Sequence, residues 1–205
     1  MKKLVILLLY SLIFICAGAQ TGLTPSQVLD KTIAVLSNQK GIEAKFSITN
    51  SGYTSKGEIV TASGKFKVKL PDISVWYNGI DLYTYNDNTG ETTIVNPTSE
   101  ELAESNPLAY VIGAQKNYNV TFSTVKKTGS YVLELTPKTK RSEAKRITLT
   151  VKKTDYIPER IVVEPAFGEP MRADITSFNR GIAIPSGEFE YPKNKYPKAE
   201  IIDLR

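Results

Sequence analysis

Apolar and polar positions recur with two different periods along this chain, and the period changes near residue 41. Before that point Val28, Leu29, Ile33, Val35 and Leu36 recur at helical spacing, with Asp30, Lys31 and Asn38 mostly on the other face. Thr24-Pro25-Ser26-Gln27 has the form of a capping box, with Thr24 as N-cap, Pro25 at the first helical position and Gln27 reaching back. Gly41 suits a left-handed C-cap. The pattern predicts a helix from Pro25 to Lys40.

After residue 41 the period is two. Ile42, Ala44, Phe46 and Ile48 alternate with polar neighbours, and Phe66, Val68 and Leu70 alternate with Lys65, Lys67 and Lys69. Further strands are predicted at Val75–Tyr77, Leu82–Tyr85, Thr92–Val95, Val120–Val125, Tyr131–Leu135 and Ile147–Val151. The last three are Arg160–Glu164, Met171–Phe178 and Glu188–Tyr191. Turn signals separate them at Asn78-Gly79, Asp87 to Gly90, Lys127 to Ser130 and Gly187. Between the two groups of strands, Asn96-Pro97 stops the alternation. Thr98 to Glu104 and Pro107 to Ala114 then read as short helices, the second with a stripe of Leu108, Val111 and Ile112. Many short strands with helices in separate blocks indicate an α+β fold built on an antiparallel sheet.

The first residues are an address. Lys2 and Lys3 precede an apolar run from Leu4 to Ile15, and Ala17-Gly18-Ala19 supplies the small residues of a cleavage site. The run is shorter than the roughly 20 apolar residues of a membrane span, so residues 1–19 read as a cleaved signal peptide. Residues 20–205 then form a single domain. Ile13, Phe14 and Ile15 lack the small residues that precede a lipid-modified cysteine, so Cys16 belongs to the discarded segment. The chain has one cysteine and no histidine. The mature protein therefore has no disulfide, and its stability comes from a packed core.

Composition narrows the chemistry further. Without histidine or a mature cysteine, common acid–base and nucleophilic groups are missing and a zinc site is not expected; no cofactor is predicted. No glycine-rich phosphate loop is present. Glu100-Glu101 opens a short helix, where acidic side chains complement the helix dipole, and Glu188 with Glu190 reads as a solvated pair. Removing Lys2 and Lys3 lowers the formal charge from +5 to +3, too little for a nucleic-acid surface. The basic stretch of Lys138, Lys140, Arg141, Lys145 and Arg146 straddles a hairpin turn. It reads as a solvated loop or as a docking site for an acidic partner or membrane surface. Phe46, Phe66, Trp76, Tyr83, Phe122 and Phe178 need cover from the helices. Two arrangements meet that need: a filled core, or an incompletely filled barrel holding an apolar ligand.

Several segments together resemble the LolA family of periplasmic lipoprotein carriers, over nearly all of residues 20–205. They are the N-terminal helix with Ala44-Lys45-Phe46, then GKFKVKLPDISVWYNGIDLYTYN, NPLAYVIG, YVLELTPK, ITLTV and FNRGIAIPSGEFEYPKNKYPKAEIIDLR. The resemblance implies an incomplete, half-closed antiparallel β-barrel with helices forming a lid over an apolar cavity, and no enzymatic activity. It implies a monomer in the periplasm of a Gram-negative bacterium. The partners would be acylated lipoproteins, an inner-membrane release complex and an outer-membrane acceptor. Burying one methylene is worth about 0.8 kcal/mol, so acyl chains need such shielding in water.

Cavity and lid would be lined by Leu29, Ile33, Leu36, Phe46, Phe66, Val68 and Leu70, and by Trp76, Tyr83, Leu108, Ile112, Phe122 and Phe178. Two positions depart from the family. Leu70 stands where the family has an arginine that ties barrel to lid, and Ser74 replaces a cavity aromatic, while Trp76 is retained on a strand expected to face inward. The ligand can equally be a lipid or glycolipid, or a peptide sensed by a regulatory module on the same fold. Intact mass of the secreted protein is expected to show a start at or near Gln20 without lipid; a diacylated Cys16 at the N-terminus contradicts the reading.

Overall fold

The computed structural model describes residues 22–37, 40–139, 142 and 144–205. The segment expected to be a signal peptide, with Cys16, and the charged residues Lys140 and Arg141 lie outside the described residues, as does Asn38. Helix α1 spans Pro25–Leu36, and both halves of its capping box are formed: Gln27 N–H donates to the Thr24 hydroxyl and Thr24 N–H to the Gln27 side chain. The helix is shorter than predicted. Ser37 caps it, and Gly41 begins the first strand instead of ending the helix.

The strands are β1 Gly41–Asn50, β2 Tyr53–Ala62, β3 Lys65–Lys69, β4 Ile73–Tyr77, β5 Leu82–Asn86 and β6 Glu91–Val95. Helices α2 Ser99–Ser105, α3 Ala109–Ile112 and α4 Ala114–Asn117 follow. Then come β7 Tyr118–Phe122, β8 Ser130–Pro137, β9 Ala144–Lys152, β10 Pro158–Pro165, β11 Met171–Ile182 and β12 Glu200–Asp203. They form one twelve-stranded sheet in the order β12-β6-β5-β4-β3-β2-β1-β11-β10-β9-β8-β7. It is open, and mostly rather than wholly antiparallel, because β12 runs parallel to β6.

Three expectations change. Strand β2 was not predicted, because its inward positions begin with Ser55 and Gly57 and show no apolar alternation. Its turns were the signal: Ser51-Gly52 and Ser63-Gly64 each hold two successive residues at positive φ, the mirror-image turn that matches strand twist. Glu188–Tyr191 is a series of turns, not a strand, and the closing strand lies later, at β12. The second short helix is two single turns, α3 and α4.

The chain starts in the middle of the sheet, meanders outward from β1 to β6, and crosses through α2–α4 to the opposite edge at β7. It then returns inward from β7 to β11, which pairs with β1. Helix α1 packs on α3, α4, β7 and β8. Two polar ties set this layer: the Gln115 amide donates to Asp30, and Lys138 Nζ donates to the carbonyls of Gln115 and Lys116 at 3.0 and 3.1 Å.

Beneath the helices lies one apolar cluster. Val28, Leu29 and Leu36 of α1, with Leu108 and Val111 of the lateral helices, meet strand residues from Ala44 and Phe46 to Leu133, Leu149 and Ile161. The sheet is tightly covered at Gly57. A Cβ there would lie 2.7 Å from both the Phe46 ring and the Leu70 side chain, so Leu70 folds over a bare backbone onto Phe46. Gly57→Ala is expected to cost about 1–3 kcal/mol by overpacking, read as a lower denaturant midpoint at unchanged m, with partial recovery in Gly57→Ala/Phe46→Leu.

Candidate functional site

The two faces of the sheet differ. On β4, Ile73, Val75 and Tyr77 join the helix-covered cluster, so Ser74 and Trp76 point to the other face. Pairing carries this across the sheet. Val68 opposes Val75, and Tyr77 opposes Leu82, while Trp76 opposes Lys67 and Tyr83.

On the helix-covered face, Leu29, Leu36, Phe46, Phe66, Val68 and Leu108 are buried. Ile33, Leu70 and Phe178 are partly buried and packed on them. These nine of the predicted lining residues come together. Leu70, expected at the position of the family's arginine, makes an apolar contact with this cluster. Ile112 is 40% exposed, and Val111, fully buried, is the inward residue of α3. Phe122 sits at the end of edge strand β7, 44% exposed. The helical stripe was thus legible, but a one-residue rotation of a single-turn helix decides which member faces in. Every fully buried side-chain nitrogen or oxygen among the described residues has a hydrogen-bond partner, so the layer between helices and sheet is apolar without stranded polar groups.

At its rim a cleft of about 630 Å³ opens between α2–α4 and the β8–β9 hairpin, where Ala103, Ala109 and Gly113 meet Tyr118, Lys138 and Ala144. Asn106, buried between α2 and α3, accepts a hydrogen bond from Leu108 N–H at 2.9 Å and holds the link that positions Leu108. No group of three His, Cys, Asp or Glu side chains that could hold a metal occurs among the described residues.

Trp76 and Tyr83, expected in the cavity, lie on the outer face beneath the C-terminal segment. Tyr191 stacks on Tyr83 with centroids 5.4 Å apart and planes 3° apart, and meets Trp76 edge-on at 5.6 Å. Tyr196 covers Tyr85 at 4.0 Å and Trp76 at 5.9 Å. Polar contacts fasten the segment. The hydroxyls of Thr92 and Tyr191 share a buried hydrogen bond of 2.8 Å, and Lys67 pairs with Glu188 at 2.7 Å. Arg205 bridges Asp81 at 3.0 Å and Asp203 at 2.6 Å. The Glu188 and Glu190 pair is therefore engaged with the sheet, since Asn78 donates to Glu190 at 3.4 Å.

The family model described as "Outer membrane lipoprotein carrier protein LolA" matches residues 15–166. The chain belongs to this LolA family. Among solved structures, the LolA-family chain resembles an uncharacterized conserved protein of Thermus thermophilus with a TM-score of 0.60 and 12% identity, covering 87% of this chain and 98% of that one. A LolA superfamily protein of Nitrosomonas europaea scores 0.41 at 13% identity, with 83% and 99% covered. The Pseudomonas aeruginosa MucA/MucB complex scores 0.44 at 15%, with 82% and 60% covered. No curated protein matches the chain. LolA-like proteins are periplasmic lipid- or lipoprotein-binding proteins, and no helix among the described residues is long and apolar enough to cross a membrane.

Charge sets the pH range of the C-terminal contacts. Arg205 holds the Asp203 carboxyl at about 2. Burial, then the nearby Asp81 charge and its hydrogen bond, push the Tyr83 phenol above its ordinary value. A lowered carboxyl contributes stability above the unfolded value near 3.9 that is lost as pH falls through about 2. A raised phenol contributes stability below about 10 that is lost as pH rises through its folded value. Trp76 emission is therefore expected to stay constant between about pH 4 and 10 and to red-shift beyond both limits. Tyr83→Phe should remove part of the alkaline change; an unaltered alkaline limb in that variant contradicts the assignment.

Proposed function

We propose that this protein is a periplasmic carrier that shields the acyl chains of lipoproteins between its helices and its sheet during passage from inner to outer membrane. The observation that carries the reading is the one apolar layer under α1 and α3, to which both halves of an open sheet contribute. Such a layer suits acyl chains because apolar burial is non-directional and scales with area. The helices act as the lid. In the closed state their own side chains, Leu29, Leu36, Leu108 and Val111, occupy the space that acyl chains take when the lid lifts. The cleft beside Tyr118 and Ala144 is the point from which it lifts.

The latch is apolar. With Leu70 packed on Phe46 where the family has an arginine, closing depends on buried area and responds little to salt. A guanidinium latch would be directional and specific for one closed geometry. Cargo comes from an inner-membrane release complex and leaves to an outer-membrane acceptor, with the carrier acting as a monomer and performing no covalent chemistry.

Mass spectrometry of the protein purified from the periplasm is expected to find acylated protein bound. Binding of a triacylated lipopeptide separates the two sides of α3. Ile112→Asp, on the exposed side, should retain binding. Val111→Asp, which places a charge in the apolar layer, should lose it while the far-ultraviolet spectrum keeps its sheet signal. Absence of acylated cargo together with equal lipopeptide binding by both variants overturns the reading.

A further inference from the structure

One end of the sheet carries an apolar tip ringed by lysines, remote in role from the helix-covered layer. Phe122 ends β7 and Val125 lies in the turn that follows; they are 44% and 68% exposed. The tip is braced, since Phe122 stacks on Tyr131 with centroids 5.9 Å apart and planes 24° apart. The turn after β9 abuts it: Lys153 N–H donates to the Gly129 carbonyl at 3.0 Å, and Lys153 Nζ lies 5.2 Å from the centre of the Tyr131 ring. From α1, Lys31 Nζ lies 5.1 Å from the Tyr156 ring. Lys126, Lys127 and Lys152 are exposed beside them.

Five lysines at this end, Lys31, Lys126, Lys127, Lys152 and Lys153, outnumber the four carboxylates near them by one, and only one of the five is in a salt bridge among the described residues. Lys127 pairs with Glu159 at 2.9 Å, and Glu159 also accepts from the Ser130 hydroxyl at 2.6 Å. Lys31, Lys126, Lys152 and Lys153 form no salt bridge among the described residues. The other carboxylates nearby keep their charge but are oriented by bonds within the fold rather than toward the lysines: Glu134 accepts from the Ser123 hydroxyl at 2.6 Å, Asp155 from Ile157 N–H at 3.2 Å, and Asp30 from Gln115. An exposed apolar pair on an edge hairpin, framed by ammonium groups of which two lie over tyrosine rings, has the chemistry of a membrane interface. Its apolar part suits the acyl–headgroup boundary and its charges suit anionic headgroups.

We propose that this end of the sheet docks on the surface of an anionic phospholipid bilayer, with Val125 and Phe122 entering the interface and Lys126, Lys127, Lys152 and Lys153 facing the headgroups. The proposal is independent of what the helices cover, so it is tested without acylated cargo. The secreted protein is co-sedimented with vesicles of phosphatidylcholine alone and of phosphatidylcholine containing phosphatidylglycerol. Binding is expected only to the second kind and is expected to fall with added salt.

Lys126→Gln and Lys153→Gln should each weaken it about fivefold, since each lysine near an anionic surface contributes on the order of 1 kcal/mol. Val125→Asp should abolish it with an unchanged unfolding transition, because Val125 is exposed. Phe167→Asp, at a tip on the opposite end of the sheet and 93% exposed, should bind like the parent. The proposal is overturned by absence of vesicle binding, by parent-like binding of Val125→Asp, or by equal loss in Phe167→Asp. Self-association that Val125→Asp removes, without vesicle binding, also overturns it and assigns the tip to a second copy of the chain.

Discussion

A long open sheet with one apolar face must keep that face out of water, and the route of this chain follows from that requirement. Both sheet halves grow from the central β1–β11 pair, so their apolar faces are continuous. The segment that leads from β6 to the far edge at β7 carries α2, α3 and α4. It crosses over the face that needs cover, and α1 completes the layer by packing on α3, α4 and the β7–β8 edge. Helical cover and chain connectivity are thus the same feature. Fully buried leucines and phenylalanines contribute about 1.5–3 kcal/mol each, and a handful of them outweighs the few polar ties that position the helices.

The other face is covered by different physics. There the C-terminal segment lies on Trp76, Tyr83 and Tyr85 through ring contacts of defined angle, a buried hydroxyl pair and ion pairs from Lys67 and Arg205. Such contacts depend on geometry, whereas the inner layer depends mainly on area. Contacts that depend on area tolerate rearrangement of the packed side chains, whereas contacts that depend on angle and distance hold one geometry. At the sheet edge the parallel strand β12 pairs with β6, so that a strand of only four residues forms that edge, and short edge strands offer little backbone to another chain.

Leu70 adds to the inner apolar layer from a loop rather than from a strand or helix. It sits at the corner between β3 and β4 and reaches across Gly57 to Phe46. A leucine at this site contributes apolar, non-directional contact to that layer.

Helix α1, its capping box, most strands and the apolar identity of the covered face were legible in residues 20–205, because capping and the periods 2 and 3.6 are local properties of the backbone. Strand β2 was also written there, in Ser51-Gly52 and Ser63-Gly64, as turn chemistry rather than as alternation. What the sequence could not determine was which side of the sheet each aromatic serves. Trp76 lies outside and Phe66 inside because register and tail placement decide it, and one residue along a strand reverses the face. The same holds for Val111 against Ile112, where a single helical turn has no long stripe to orient it, and for β12, whose parallel partner β6 lies far earlier in the chain. Periodicity is set by neighbours along the chain; the facing of these side chains is set by partners that only the folded chain brings together.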